Sequence, residues 1–285
     1  MMGTQNKNAN VLAALCRKPR TMHGLRYHFR MNDLAGSPAM STEGLGLYAT
    51  TPYICAYRSA YQACAQVVGP AERVRAPVYW QLIEKGFRRS GATLYRPRCD
   101  PCQACKPLRV DVNAFTPSRS QRRAIKLHHA LQVRLLPLKL QPEHLALYQL
   151  YQQTRHADGG TSGVHAQQYR DHILASCVDS MLAEFRSQSG ELKMLALIDR
   201  LPQALSAVYT FYADDPGASF GTYAILWQIT QARHWKLPHV HLGYWVAENA
   251  KMHYKTCFQP CEVLHNGHWQ QLTASNLHHP RSPAE

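Results

Sequence analysis

In the second half of the chain the apolar positions fall into long blocks separated by short polar breaks. Met181 to Phe185, Leu192 to Ile198 and Ala204 to Tyr212 read as three strands in a meander. A helix-length block from Gly221 to Trp235 follows, then a strand from His239 to Leu242 and a short helix around Glu248 to Tyr254. Upstream, Glu143 to His156 and His165 to Cys177 carry helical spacing. Helices, a strand meander, a helix and a further strand is the order of an acetyltransferase-like (GNAT-type) mixed sheet, so the fold class expected is α/β (α+β).

The first half has a different texture, rich in Cys and Arg. Pro77 to Lys85 predicts a short helix closed by Gly86, and Leu108 to Val112 a strand. Thr116 and Pro117 are placed as N-cap and first residue of another helix. On that helix Arg119, Arg122, Arg123 and Lys126 follow at spacings of three, four and seven, a continuous basic face with Ala124, Leu127 and Leu131 behind it. The change of texture near residue 130 divides the chain into an extension (1–43), a Cys- and Arg-rich N-terminal domain (44–130), the acetyltransferase-like domain (131–272) and a tail (273–285). Gly24, Gly36, Ser37 and Pro38 interrupt the extension, and Met31 is an alternative start.

Lys and Arg number 32 against 18 Asp and Glu, a net charge of +14, in a chain of 285 residues that is 45% hydrophobic. Such a chain buries a substantial core and meets a polyanion, of which nucleic acid is the commonest. No apolar run approaches a membrane span, and nine cysteines without a secretory leader point to reducing cytoplasm.

Cys99, Cys102 and Cys105 form a C-x-x-C-x-x-C run. Two-residue gaps let thiolates converge on Zn or an Fe-S cluster, with Cys55 or Cys64 as a fourth ligand, and the alternative is plain loop thiols. Gly86-Phe87-Arg88-Arg89-Ser90-Gly91 sets two guanidinium groups between glycines, suited to phosphate or carboxylate. Tyr209, Tyr223 and Tyr244 crowd the ends of the later strands, either as packing or as stacking surfaces. Lys251 and Lys255 lie one helical turn apart. The segment entering the Gly221 helix, Pro216-Gly217-Ala218-Ser219-Phe220, lacks the pyrophosphate loop expected for a coenzyme A donor, and no nucleophile elbow or Walker loop occurs.

Read as long strings, Tyr79 to Pro97 (YWQLIEKGFRRSGATLYRP), Cys99 to Val112, Phe115 to Arg123 (FTPSRSQRR), Val208 to Trp227 and Leu242 to Lys255 resemble the bacterial aspartate/glutamate leucyltransferases, the leucyl-transferring branch of the arginyl-tRNA-protein transferase family. The resemblance runs from about Leu47 to Trp269. It implies transfer of leucine from Leu-tRNA to proteins with N-terminal Asp or Glu in the N-degron (N-end rule) pathway, with no cofactor required. Two segments depart from the family pattern. Ala56-Tyr57-Arg58-Ser59-Ala60-Tyr61 replaces Ser-Tyr-Leu-Pro-Gly-Arg, and Thr256-Cys257-Phe258-Gln259-Pro260-Cys261 carries no Arg where the family has one. The alternatives are a member with another donor (Arg-tRNA) or acceptor, a small-amine acetyltransferase, or a non-catalytic metal-stabilised RNA-binding protein.

An aminoacyl ester is already activated, so a neutral amine attacks it once oriented, and no covalent nucleophile is needed. The expected assignments are Arg88, Arg89, Arg119, Arg122, Arg123 and Lys126 on tRNA phosphates; Tyr209, Ser219, Tyr223 and Tyr244 around the reacting centre; Asp214 or Asp215 as proton acceptor; and Lys251 or Lys255 on the acceptor carboxylate.

Overall fold

The computed structural model describes residues 45–100, 102–155 and 166–273. The expected extension, the Met31 start and most of the tail lie outside these.

A small antiparallel sheet comes first. Strands β1 (Gly46–Ala49) and β4 (Ala65–Gly69) pair, and a two-stranded ribbon, β2 (Tyr53–Ile54) with β3 (Gln62–Ala63), sits between them in sequence. Helix α1 (Ala76–Glu84) follows, with Pro77 in its first turn where a missing N–H costs nothing. Its buried face, Val78, Tyr79, Leu82 and Ile83, packs with Val68, Phe87 and Leu94 into a minor core. Gly86, at φ +86°, turns the chain into β5 (Arg88–Ser90), which pairs with β6 (Thr93–Pro97) to complete the sheet order β1-β4-β6-β5.

β7 (Lys106–Asp111) leaves the small sheet and enters the large one. Helix α2 (Arg119–His128) begins two residues later than the sequence implies. Ser118 rather than Thr116 is its N-cap, because the Ser118 hydroxyl accepts from the Gln121 N–H while the Gln121 side chain accepts from the Ser118 N–H. Of its expected apolar back only Ala124 is buried; Leu127 is 60% exposed. After β8 (Gln132–Leu136) come α3 (Pro142–Arg155) and α4 (Ala166–Tyr169), the latter running into a wide π-turn over Arg170–Leu174. The expected helix to Cys177 therefore stops short, and extended backbone resumes at Ala175.

β9 (Ser180–Arg186), β10 (Leu192–Arg200) and β11 (Ala204–Tyr212) form the expected meander. α5 (Phe220–His234) then crosses over to β12 (His239–Trp245), which lies parallel to β11. A 3₁₀ segment over Ala250–Cys257 and the hairpin β13 (Cys261–His265) and β14 (His268–Gln271) close the sheet in the order β14-β13-β7-β12-β11-β10-β9-β8. β7, from the Cys- and Arg-rich part of the chain, thus lies between β12 and β13. Nearly every residue of β10 is inaccessible, as a central strand covered on both faces requires.

Polar contacts fasten the small sheet to the large one. The Arg89 guanidinium meets the Asp199 carboxylate of β10 through two bonds of 2.6 and 2.7 Å, both side chains being fully buried. Tyr79 and Ser180 donate to the same carboxylate. Arg109 of β7 bonds Glu84 of α1 and Glu262 of β13 and lies over the Trp269 ring. Removing one member of a buried pair strands the other charge, so Arg89→Met is expected to lower unfolding free energy by about 3–5 kcal/mol, read from urea denaturation midpoints.

Candidate active site

Where β5, β11, β12 and the π-turn converge, a cavity of about 70 Å³ is lined by Arg88, Ser90, Tyr148, His172, Tyr209, Gly243, Tyr244 and Lys255, among others. Arg88 and Lys255 are 7% and 1% exposed. Gly243, at φ +81°, holds a left-handed backbone conformation in β12 that favours glycine, and both cations lie against it. A Cβ there would lie 3.6 Å from Arg88 Nη2 and 3.7 Å from Lys255 Nζ. Arg88 Nη2 donates to the Ala207 carbonyl at 2.8 Å, while its Nη1 is buried with no partner. Lys255 Nζ donates to the Tyr244 carbonyl at 2.6 Å. Among the described residues no carboxylate lines the cavity. Two buried cations side by side without a counter-ion are costly, and burial with Arg88 close by brings the Lys255 ammonium down to about 7.

Sequence reasoning missed His172. The π-turn brings it to the cavity wall, with Nδ1 3.3 Å from Ser90 Oγ. Burial lowers its pKa below the usual histidine value, so the imidazole is neutral at physiological pH. Arg170-Asp171-His172-Ile173-Leu174 reads locally as one more turn of the helix expected there, and nothing in it marks His172 as facing a cavity. Tyr209 Oη accepts from Gln152 Nε2 at 3.0 Å, and burial pushes its phenol far above the ordinary range, so it stays a proton donor.

The other candidates separate. Arg89 borders the cavity, but its guanidinium is spent on Asp199, Ser180 and the Gly91 carbonyl, so it is an internal strut and not a phosphate ligand. Arg88 is equally withdrawn from the surface. Tyr244 lines the cavity, yet its hydroxyl donates to the Gly86 and Tyr95 carbonyls at 2.7 and 3.2 Å, latching β12 to the small sheet. Asp214 is exposed, and Asp215 pairs with Lys193 at 3.0 Å; neither lines the cavity. Ser219 is an exposed left-handed residue at the start of α5, and Tyr223 packs against His128 and Phe185, so neither reaches the cavity. Lys251 is exposed on the 3₁₀ segment while Lys255, four residues on, points inward. Arg119, Arg122, Arg123 and Lys126 are exposed along α2. Gln121 of that helix donates to the Cys257 carbonyl, so the basic face adjoins the segment that carries Lys255.

Cys55, Cys99, Cys102 and Cys105 border a second, larger cavity. Burial raises the Cys99 and Cys105 thiols, which holds them protonated, and among the described residues no three His, Cys, Asp or Glu side chains are placed to hold one ion.

The chain matches the family model described as arginine-tRNA-protein transferase, N terminus, over residues 53–123, and its C-terminus counterpart over 143–265. It is 53% identical to the aspartate/glutamate leucyltransferase of Chromobacterium violaceum, across 79% of this chain and 93% of that protein. With the protein of the same name from Nitrosospira multiformis it shares 46% identity across 85% and 94%. The chain belongs to the arginine-tRNA-protein transferase family. Among solved structures, that of FemX overlaps 70% of this family member and 79% of its own chain, at a TM-score of 0.38 and 10% identity. No helix among the described residues is long and apolar enough to cross a membrane.

The lowered pKa of Lys255 has a measurable consequence in this transferase. Between about pH 7 and the usual lysine value of 10.5 the unfolded chain holds a proton that the folded chain has released, so stability rises with pH across that window. Below pH 7 both states are protonated and the full cost of burying the ammonium falls on the folded state. Urea unfolding at pH 6.5 and 9.5 is expected to show the wild type gaining stability relative to Lys255→Met as pH rises.

Proposed function

We propose that this transferase moves leucine from Leu-tRNA onto the N-terminal Asp or Glu of proteins. The observation that carries the reading is the Arg88–Lys255 pair, two buried cations facing a cavity into which no described residue places a carboxylate. The side-chain carboxylate of an acidic N-terminal residue supplies the missing counter-charge, with unspent Arg88 Nη1 and Lys255 as its donors. The cavity has room for a few water-sized groups, the scale of one acidic side chain and its α-amine. The names of the relatives support the same donor and acceptor.

In this reading the acceptor's neutral α-amine attacks the leucyl ester carbonyl. The amide C–N bond forms, the ester C–O bond breaks, and the terminal ribose hydroxyl of the tRNA leaves with a proton. Tyr209, a phenol that burial keeps protonated, faces the developing oxyanion. His172 takes the proton that the amine loses and passes it to the leaving ribose oxygen, a role for which Asp214 and Asp215, which do not line the cavity, are misplaced. The protein partners are Leu-tRNA and proteins bearing N-terminal Asp or Glu, and the setting is the cytoplasmic N-degron pathway, in which the added leucine marks its bearer for degradation.

The test is transfer of labelled Leu or Arg from charged tRNA to peptides beginning with Asp, Glu, Arg, Lys or Ala. Leu on the Asp and Glu peptides alone is the expected result, and transfer indifferent to the acceptor's charge would sink the reading. In the same assay Lys255→Met is expected to raise KM for the Asp peptide by about tenfold to a hundredfold, the worth of one charge-assisted bond. His172→Gln is expected to lower kcat by about 10²–10⁴ with KM nearly unchanged, and an unaltered kcat would remove His172 from the chemistry.

A further inference from the structure

The larger cavity, about 730 Å³, adjoins the first through Tyr57 and Tyr244, which line both. Its volume is that of a site for a sizeable ligand. Its wall is cationic: Arg58, Lys85, Arg96, Arg98 and Lys106 border it against a single acidic residue, Asp100, which is exposed. Among the described residues Arg96, Arg98 and Lys106 have no carboxylate partner, while Arg58 feels the Glu248 carboxylate. Arg58 lies 4.2 Å over the Tyr61 ring and donates to Cys102 Sγ. Arg96 bonds the Gln66 side chain and the Lys85 carbonyl. Lys106 is 7% exposed, and burial lowers its pKa. The protein thus gathers more cations than carboxylates around one concavity, which focuses a positive field into it.

We infer that this second cavity receives the unpaired 3′ end of the donor tRNA, taking the donor to be Leu-tRNA as above. An extended acceptor polypeptide brings one obligatory negative charge, at its first side chain, and the Arg88–Lys255 pair already answers it. A single-stranded RNA end brings a phosphate at each nucleotide, which matches a row of cations, and unstacked bases, which match the half-exposed Tyr61 ring beneath the Arg58 guanidinium. The wall shared through Tyr57 and Tyr244 puts the terminal ribose ester beside the cavity where the acceptor amine sits. The α2 basic face, exposed and outside this cavity, is left for the double-stranded part of the same RNA.

The experiment measures binding of two hairpin RNAs, one ending in the unpaired 3′ tail and one blunt, by fluorescence anisotropy across a salt series. Arg98→Glu and Arg58→Glu are compared with wild type, and Lys139→Glu, an exposed site outside the cavity, controls for the change of charge. Both cavity variants are expected to bind the tailed RNA at least tenfold more weakly, with a salt slope reduced by about 0.7 for each lost phosphate contact, and to bind the blunt RNA like wild type. Equal loss for both RNAs, or none for either, overturns the assignment. So does unchanged RNA binding with a raised KM for the Asp peptide, which would make the cavity a channel for the acceptor polypeptide. If wild type prefers the tailed RNA through this cavity yet transfers no leucine, the docking site stands and the leucyl-transfer reading falls.

Discussion

The buried pair of Arg89 and Asp199 is the constraint on which the site depends. It joins β5 of the small sheet to β10 of the large one with both charges out of water, an arrangement that holds only if every lone pair and N–H finds a partner. Ser180, Tyr79 and the Gly91 carbonyl supply those partners. With Arg89 so anchored, its neighbour Arg88 has its backbone position set, and the second guanidinium is carried to the Ala207 carbonyl and the open backbone at Gly243. One arginine joins the two sheets, which leaves the adjacent one to line the cavity.

That division accounts for the electrostatics of the two cavities. Where charge holds the fold together it is paired: Arg89 with Asp199, Arg109 with Glu84 and Glu262, and Glu184 with Arg134, Arg186 and His144. At Arg88 and Lys255, and at Arg96, Arg98 and Lys106, no carboxylate of the described residues is paired across from the cation, and the protein bears the desolvation cost without the Coulombic return. Unreturned cost is the expected mark of a surface whose counter-charge arrives with a substrate. The tyrosines between the two cavities serve a related end. Tyr244 spends its hydroxyl on the carbonyls of Tyr95 in the small sheet and of Gly86 in the turn leading into it, so the wall that both cavities share is held from both sheets.

Much of the large sheet was legible in the chain. β9, β10, β11, α5 and β12 fall within a few residues of the apolar blocks that mark them, because strands buried on both faces must be apolar almost throughout. The short strands of the small sheet and the β13–β14 hairpin were not legible. They are two to five residues long, mixed in polarity, and owe their pairing to partners far along the chain. The start of α2 was misplaced because two plausible caps stand two residues apart, and only the reciprocal Ser118–Gln121 bonds separate them.

Of the candidate residues, Arg88, Tyr209 and Lys255 come together with His172, whereas Asp214, Asp215, Ser219 and Tyr223 do not. Residue type and local spacing determined by themselves that the chain is basic, that its second half builds a mixed sheet, and that long strings of it match one family. Only the tertiary structure decided which of two adjacent arginines is a strut, which of two lysines a helical turn apart faces inward, and that a histidine on a π-turn joins them. Neighbours in sequence share composition and local geometry, but burial and the arrival of a counter-charge depend on strands more than a hundred residues away, and no local pattern records them.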